Sequence, residues 1–241
     1  MEANKEAMEY LVGLKQARTF EIDGDTYTDG KLTLVEKKIY RPKPIEVTSL
    51  GSLISLIKRE VARFIAPTFV RVMSAQEIEV FSTYGPERHE RDQYYTVKCD
   101  APYFAPGKYS HRDAVIKLLT MFVENAGSKY VLDTIKRISH NTLVETEDNG
   151  VTQKVTMTAG VQMKSSAAIT PIVPLKPYRT FPDVAQPESD FLFRVGERGE
   201  AIELTEADGG RWVLEAKRNV ADYLEAHLKD LAESGEIVVM C

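Results

Sequence analysis

Between Thr170 and Pro187 the chain carries Pro171, Pro174, Pro177, Pro182 and Pro187. Each proline fixes φ and removes a backbone donor, and each biases the residue before it toward extended geometry. A helix is excluded there. A central strand is not expected from Pro171 to Pro187 either, because proline interrupts a hydrogen-bond ladder. The segment reads as an extended strap on a sheet edge or over the surface. Ile172, Val173, Leu175, Tyr178, Phe181 and Val184 give it apolar surface with which to be pinned down.

Beyond Pro187 the texture changes. Phe191, Phe193 and Val195 alternate with Leu192 and Arg194, as in a strand. Ala201 to Thr205 reads as a second strand and Asp208-Gly209-Gly210 as a turn. Arg211 to Ala216 reads as a returning strand, which puts Trp212, the only tryptophan, near a hairpin tip. The region admits two readings. In one, the strap is a structural tie and Trp212 a core anchor. In the other, Lys176, Tyr178, Arg179 and Arg194, with Arg211 and Trp212, face a ligand or partner. From Val161 to Phe181 there are three cations and no acid, which suits an anionic ligand.

Elsewhere the elements announce themselves by period and punctuation. Ala3 to Leu14 has the apolar spacing of a short helix, and Phe20 to Lys38 that of strands broken at Gly24-Asp25 and Asp29-Gly30. A helix capped at Thr48 or Ser49 runs to about Arg63, with Leu50, Leu53, Ile54, Ile57 and Val61 as its stripe. Phe69 to Met73, Glu77 to Ser82 and Gln93 to Cys99 read as strands, the first two paired, with a charged loop at Gly85 to Asp92. Ser110 and Asp113 form a capping-box pattern before a helix whose apolar face includes Phe122 and Val123 and which stops at Gly127. A second helix, Lys129 to Ser139, completes a helical hairpin. Thr142 to Glu147 and Val151 to Val161 flank Asp148-Asn149-Gly150, a strong hairpin signal. Asn219 caps a last helix that ends at Gly235, and Glu236 to Met240 is a final strand.

The order is not a regular βαβ alternation. It predicts an α+β fold of mostly antiparallel sheet built from hairpins, with several packed amphipathic helices. We expect a single domain over 1–241, with 1–45 as a helix-plus-hairpin extension and 141–241 as a β-rich subdomain.

Composition narrows the function classes. A net charge of −5 over 241 residues excludes the basic bulk of a duplex-DNA binder, though not a local basic groove. No apolar run is long enough to span a membrane, and the polar, acidic opening residues lack the pattern of a secretory signal. Two cysteines, Cys99 and Cys241, make neither a disulfide framework nor a zinc site, so a reducing, cytoplasmic compartment is expected. There is no phosphate loop, no dinucleotide fingerprint, no nucleophile elbow and no clustered Cys/His set. The histidines His89, His111, His140 and His227 are scattered, and Glu206 and Asp208 beside Gly209-Gly210 read as turn chemistry before they read as an acidic site. No catalytic residue, cofactor or metal is expected.

The blocks Thr152-Gln-Lys-Val, Ile172-Val-Pro-Leu-Lys-Pro-Tyr-Arg-Thr-Phe, Gln186-Pro-Glu-Ser-Asp-Phe-Leu-Phe-Arg-Val and Glu206-Ala-Asp-Gly-Gly-Arg-Trp-Val-Leu-Glu-Ala resemble an uncharacterised bacteriophage and prophage family, the YfdQ-like proteins. Pro44 to Ile57, a Pro-X-X-Val followed by a Ser-Leu-rich helix, is similar too. The resemblance implies a phage-encoded, non-virion protein made in the bacterial cytoplasm, and it brings no functional residue with it. The leading expectation is a non-enzymatic accessory protein that binds a host or phage protein or itself, as a homo-oligomer. Two alternatives stand beside it. One is a single-stranded nucleic-acid binder using Tyr94, Tyr95 and Lys98 or Tyr178 and Arg179. The other is a nucleotide-signal sponge using Arg179, Arg194 and Arg211.

Overall fold

The computed structural model describes residues 18–23, 25–28, 33–34, 43–85, 90–139, 143–148, 152–159 and 163–241. The helix expected over Ala3 to Leu14 lies outside them, as do Asp29 and His89. The chain divides into two compact units, 1–41 and 42–241. The first holds an antiparallel sheet of β1 (Thr19–Ile22), β2 (Asp25–Thr28) and β3 (Thr33–Leu34). Asp23 turns between β1 and β2 at a φ of 51°, a left-handed position that Asp tolerates better than most residues.

The second unit begins with β4 (Ile45–Val47) and α1 (Leu50–Glu60), then β5 (Thr68–Val72), β6 (Glu77–Ser82) and β7 (Gln93–Lys98). The Ser49 hydroxyl caps α1 by accepting from the Ser52 N–H at 3.3 Å. Next come β8 (Gly107–Tyr109), α2 (His111–Met121), β9 (Phe122–Val123) and α3 (Ala126–Ser139). After them lie β10 (Leu143–Asp148), β11 (Gln153–Ala159), β12 (Met163–Ile169), β13 (Ile172–Pro177), β14 (Ser189–Val195) and β15 (Ile202–Glu206). The chain closes with α4 (Trp212–His227), α5 (Lys229–Glu233) and β16 (Ile237–Met240). The fold is α+β and the sheets are mostly antiparallel, as the hairpin signals required.

Two five-stranded sheets carry the unit. The first has the order β16-β5-β6-β7-β4, with β16 parallel to β5 and β4 parallel to β7. Its inward residues, among them Val70, Val80, Tyr95 and Ile237, share a core with Leu53 and Ile57 of α1 and Val220 and Leu224 of α4. The second has the order β8-β15-β14-β13-β9. Leu175, Phe191, Phe193 and Leu204 of that sheet form a separate core with Leu118 of α2 and Val131 and Ile135 of α3. A smaller sheet, β10-β11-β12, adds Val155 and Met157 to this second core. Gln153 joins the two sheets: its Nε2 donates to the Val195 carbonyl at 2.7 Å and its Oε1 accepts from the Val195 N–H at 2.9 Å.

Several expectations are corrected. The strap contains a genuine strand, β13, which lies inside the sheet between β14 and the two-residue β9. Proline is tolerated because the pairing changes sides. Residues 172–175 pair with β14, and 176–177 pair with β9. The Pro174 carbonyl turns away from β14 to accept from Asn125 Nδ2 at 3.0 Å. A strand residue's nitrogen points to the same side as its carbonyl, so the missing N–H of Pro174 is not one that β14 needs. Phe122 and Val123 leave α2 to form β9, and Gly127 is not a stop but lies in the first turn of α3. Glycine is required there because an added Cβ would sit inside the Pro174 carbonyl and 2.9 Å from Val173 Cγ1.

The Trp212 hairpin is the largest correction. Arg211 to Ala216 is not a strand, and Trp212 opens α4. The local alternation of Val213 and Leu214 is overridden by a longer helical period, in which Ala216, Val220, Leu224 and Leu228 are all buried. Asn219 is consequently mid-helix and does not cap it; its Nδ2 donates to the Ala185 carbonyl at 2.9 Å.

Gly127→Ala tests the close approach of α3 to β13. Backbone cannot yield as a side chain can, so urea unfolding should show a loss of about 1–3 kcal/mol, the usual cost of overpacking, despite alanine's better helix propensity.

Candidate functional site

The residues singled out in the sequence separate into two kinds. Arg179 and Trp212 come together: the guanidinium lies over the indole, 4.0 Å from the ring centroid. Arg179 also pairs with Glu206 and donates to Ser189 Oγ, both at short range, and to the Pro187 carbonyl at 3.5 Å. Ser189 Oγ in turn donates to Asp208 Oδ2 at 2.6 Å. Asp208 accepts from the Gly210 N–H at 2.9 Å and the Trp212 N–H at 3.2 Å, which fastens the start of α4. Gly209 and Gly210 take φ of 65° and 80°, as the turn into that helix requires.

In this cluster the single cation, Arg179, is offset by the carboxylates around it. Burial pulls the Arg179 pKa down, while Glu206, Asp208 and Glu215 push it back up. Burial pushes the Asp208 carboxyl up, yet hydrogen bonds from Ser189, Gly210 and Trp212 and the Arg179 charge outweigh it, and Asp208 lies below its ordinary range. Only 8% of Arg179 is exposed. It is spent on the fold and is not presented to a ligand.

The strap continues as a bolt between the two cores. Phe181 is fully buried in the first core. The Thr180 hydroxyl donates to the Ala75 carbonyl at 2.5 Å, and Gln76 Nε2 donates to the Arg179 carbonyl at 3.3 Å. Gln186 Oε1 accepts from the N–H groups of Arg179 and Thr180 at 2.9 and 3.2 Å.

The other predicted site residues do not converge on this point. Lys176 lies 3.7 Å from Glu188, and Arg194 lies 3.4 Å from Asp148 at the end of β10. Tyr178 is partly exposed and Arg211 is exposed. Tyr94 and Tyr95 are also unavailable for stacking, being 7% and 1% exposed. The Tyr94 hydroxyl accepts from the Ile65 N–H at 3.0 Å, and the Tyr95 hydroxyl donates to Glu60 Oε2 at 2.5 Å.

An unpredicted surface lies on the outer face of the first sheet. Along β5 and β6 the burial alternates, so Phe69, Arg71, Glu79 and Phe81 point away from the core. Phe69 and Phe81 are direct partners across the antiparallel pair, with ring centroids 5.5 Å apart. Arg91, from the loop before β7, places its guanidinium 5.1 Å from the Phe69 centroid, 5.2 Å from Phe81 and 4.2 Å from Tyr84. Arg71 lies 5.3 Å over Phe81 and donates to Glu79 Oε2 at 2.7 Å. Phe69, Arg71, Glu79, Phe81 and Arg91, with Gln93 and Met240, line an open cleft of about 440 Å³. The signal was in the sequence, since Phe69 and Phe81 occupy the outward positions of their strands. What hid it was Arg91, which joins them only through the fold.

Among the described residues no group of three or more His, Cys, Asp or Glu side chains could hold a metal ion, and no helix is long and apolar enough to cross a membrane. No protein-family model, curated protein or solved structure matches this chain.

The Arg179 cluster makes its own prediction. Arg179→Ala leaves Glu206 and Asp208 without their cation and uncovers Trp212, and should cost roughly 3 kcal/mol in chemical unfolding monitored by tryptophan fluorescence. Arg211→Ala should stay within about 0.5 kcal/mol of the parent. Because the Asp208 pKa is lowered on folding, its contribution is present above the ordinary carboxylate value of about 3.9 and fades as pH falls through the folded value. Asp208→Asn should therefore be less stable than the parent at neutral pH and converge with it in acid.

Proposed function

We propose that this chain is a phage-encoded accessory protein that acts by binding a partner, not by turning over a substrate, and that its contact surface is the outer face of the first sheet. The phage setting rests on the resemblance of the strap and its flanks to the YfdQ-like proteins. The observation that carries the binding surface is the pairing of Phe69 and Phe81 beneath two guanidinium groups on an open face. A solvated sheet face ordinarily carries polar side chains. Here aromatic rings and arginines gather instead, the residue types enriched where proteins bind.

The face is also mechanically suited to the role. Its strands are held from behind by the first core, so the binding groups stand on rigid backbone. Arg91 and Arg71 are pre-oriented by the rings and by their own hydrogen bonds to the Ser82 carbonyl (3.0 Å) and to Glu79 (2.7 Å). Less side-chain entropy is then lost on binding.

A photo-crosslinking amino acid at Gln93, on the rim of this face, tests the reading against the same group at Arg112 on α2. In irradiated bacterial cells the Gln93 position should give a discrete adduct that Phe81→Leu removes, and the Arg112 position should not. Equal labelling from both positions, or turnover of a defined substrate lost on a single substitution away from this face, would overturn it.

A further inference from the structure

We propose that the cleft formed by Phe69, Phe81, Arg71 and Arg91 binds single-stranded nucleic acid, a base stacking on the ring-and-guanidinium pile and a phosphate taking the guanidinium donors. The inference rests on the binding role of this face and names its occupant.

The chemistry is that of a planar, anionic ligand. The Phe69 and Phe81 rings are stacked, with centroids 5.5 Å apart at an interplanar angle of 28°, and form the aromatic base of the cleft. Arg91 sits among three rings, Phe69, Phe81 and Tyr84, all within 5.2 Å of its guanidinium. A guanidinium laid on an aromatic floor presents its own flat face to a base and its N–H edge to a phosphate. Each guanidinium has five donors. The Arg91 bond to the Ser82 carbonyl and the Arg71 bond to Glu79 use one donor each.

Local charge favours an anion although the whole chain is acidic. The ionised groups lining the cleft are Arg71, Arg91 and Glu79, an excess of one positive charge, against −5 for the full sequence. Glu79 neutralises Arg71 in part and, with Gln93, supplies an acceptor and an amide for base edges. The Glu77–Lys98 pair, 3.7 Å apart, continues the same face with no net charge.

Shape decides between a strand and a free nucleotide. A small ligand is usually enclosed over most of its surface, and this cleft is open to solvent on a sheet face. A strand compensates by adding contacts at successive nucleotides along the face, as single-strand binders do with aromatic platforms. Duplex is disfavoured, because its bases have no free face to stack.

The test is fluorescence anisotropy with a labelled oligothymidylate of about 20 nucleotides, longer than the roughly 4–16 nucleotides that single-strand binding folds occupy. Affinity should fall as salt rises, with a log–log slope near −0.7 for each phosphate held. Arg91→Ala should weaken binding about tenfold or more and reduce that slope by about 0.7. Arg91→Lys should keep the slope but lose affinity, because it keeps the charge and loses the plane. Phe81→Leu, which keeps apolar volume, should weaken binding about tenfold, the effect of removing one stacking platform. Arg112→Ala should bind like the parent. Thermal midpoints of all variants show whether each is folded. The proposal is overturned if thymidine monophosphate competes as well as the oligonucleotide, if duplex binds equally, if binding ignores salt, or if the folded variants bind like the parent. Should no oligonucleotide bind while the Gln93 crosslink still forms, the occupant is wrong and the binding face stands.

Discussion

A buried guanidinium, that of Arg179, holds the larger unit together. It lies at the point where the strap leaves the second sheet and drives Phe181 into the first core. Its donors take up Glu206 at the end of β15 and Ser189 at the start of β14, and its flat face covers Trp212 at the start of α4. One side chain thus ties elements of both cores, which otherwise have separate apolar interiors. A buried ion pair is weak evidence of stability in itself. Its value here is geometric: no apolar residue could satisfy a carboxylate, a hydroxyl, a carbonyl and an indole at once.

That arrangement fixes what the two sheets can do. The second sheet has α2 and α3 in its core, and β13 with its prolines is locked by Asn125 and by the close approach of Gly127. The first sheet has its helices on one side only within its core cluster, and its other face alternates outward along β5 and β6. The strap secures the core that backs this face without occupying the face itself. Rigid backing and an open front are what a binding platform needs.

The fold class and most strands were legible because hydrophobic period and turn residues act locally. Ser49, and Ser110 with Asp113, cap their helices as read. The errors share one cause. At Pro174, at Phe122 and at Trp212, a contact distant in sequence decided the local state: the β9 partner, the β13 partner, and the first core that takes up Val220 and Leu224. The surroundings of the site residues were hidden in the same way. Arg179 was legible as a cation near aromatic residues, but Glu206, which neutralises it, lies 27 residues away.

Arginine meets aromatic rings both at Arg179 and in the Arg71–Arg91 cleft, and burial gives the two places opposite meanings. At Arg179 the indole, the carboxylates and the hydroxyl close around the guanidinium and leave 8% of the residue exposed, so adding a ligand there would mean dismantling the junction. At Arg91, an exposed residue, three rings lie within 5.2 Å of a guanidinium bonded to the Ser82 carbonyl, and the cleft opens to solvent. Cation and ring attract one another in both places. In the first, the attraction completes a core. In the second, it holds a charged plane in readiness at the surface, and the sequence alone, which displays the same two residue types in each, has no means of telling which is which.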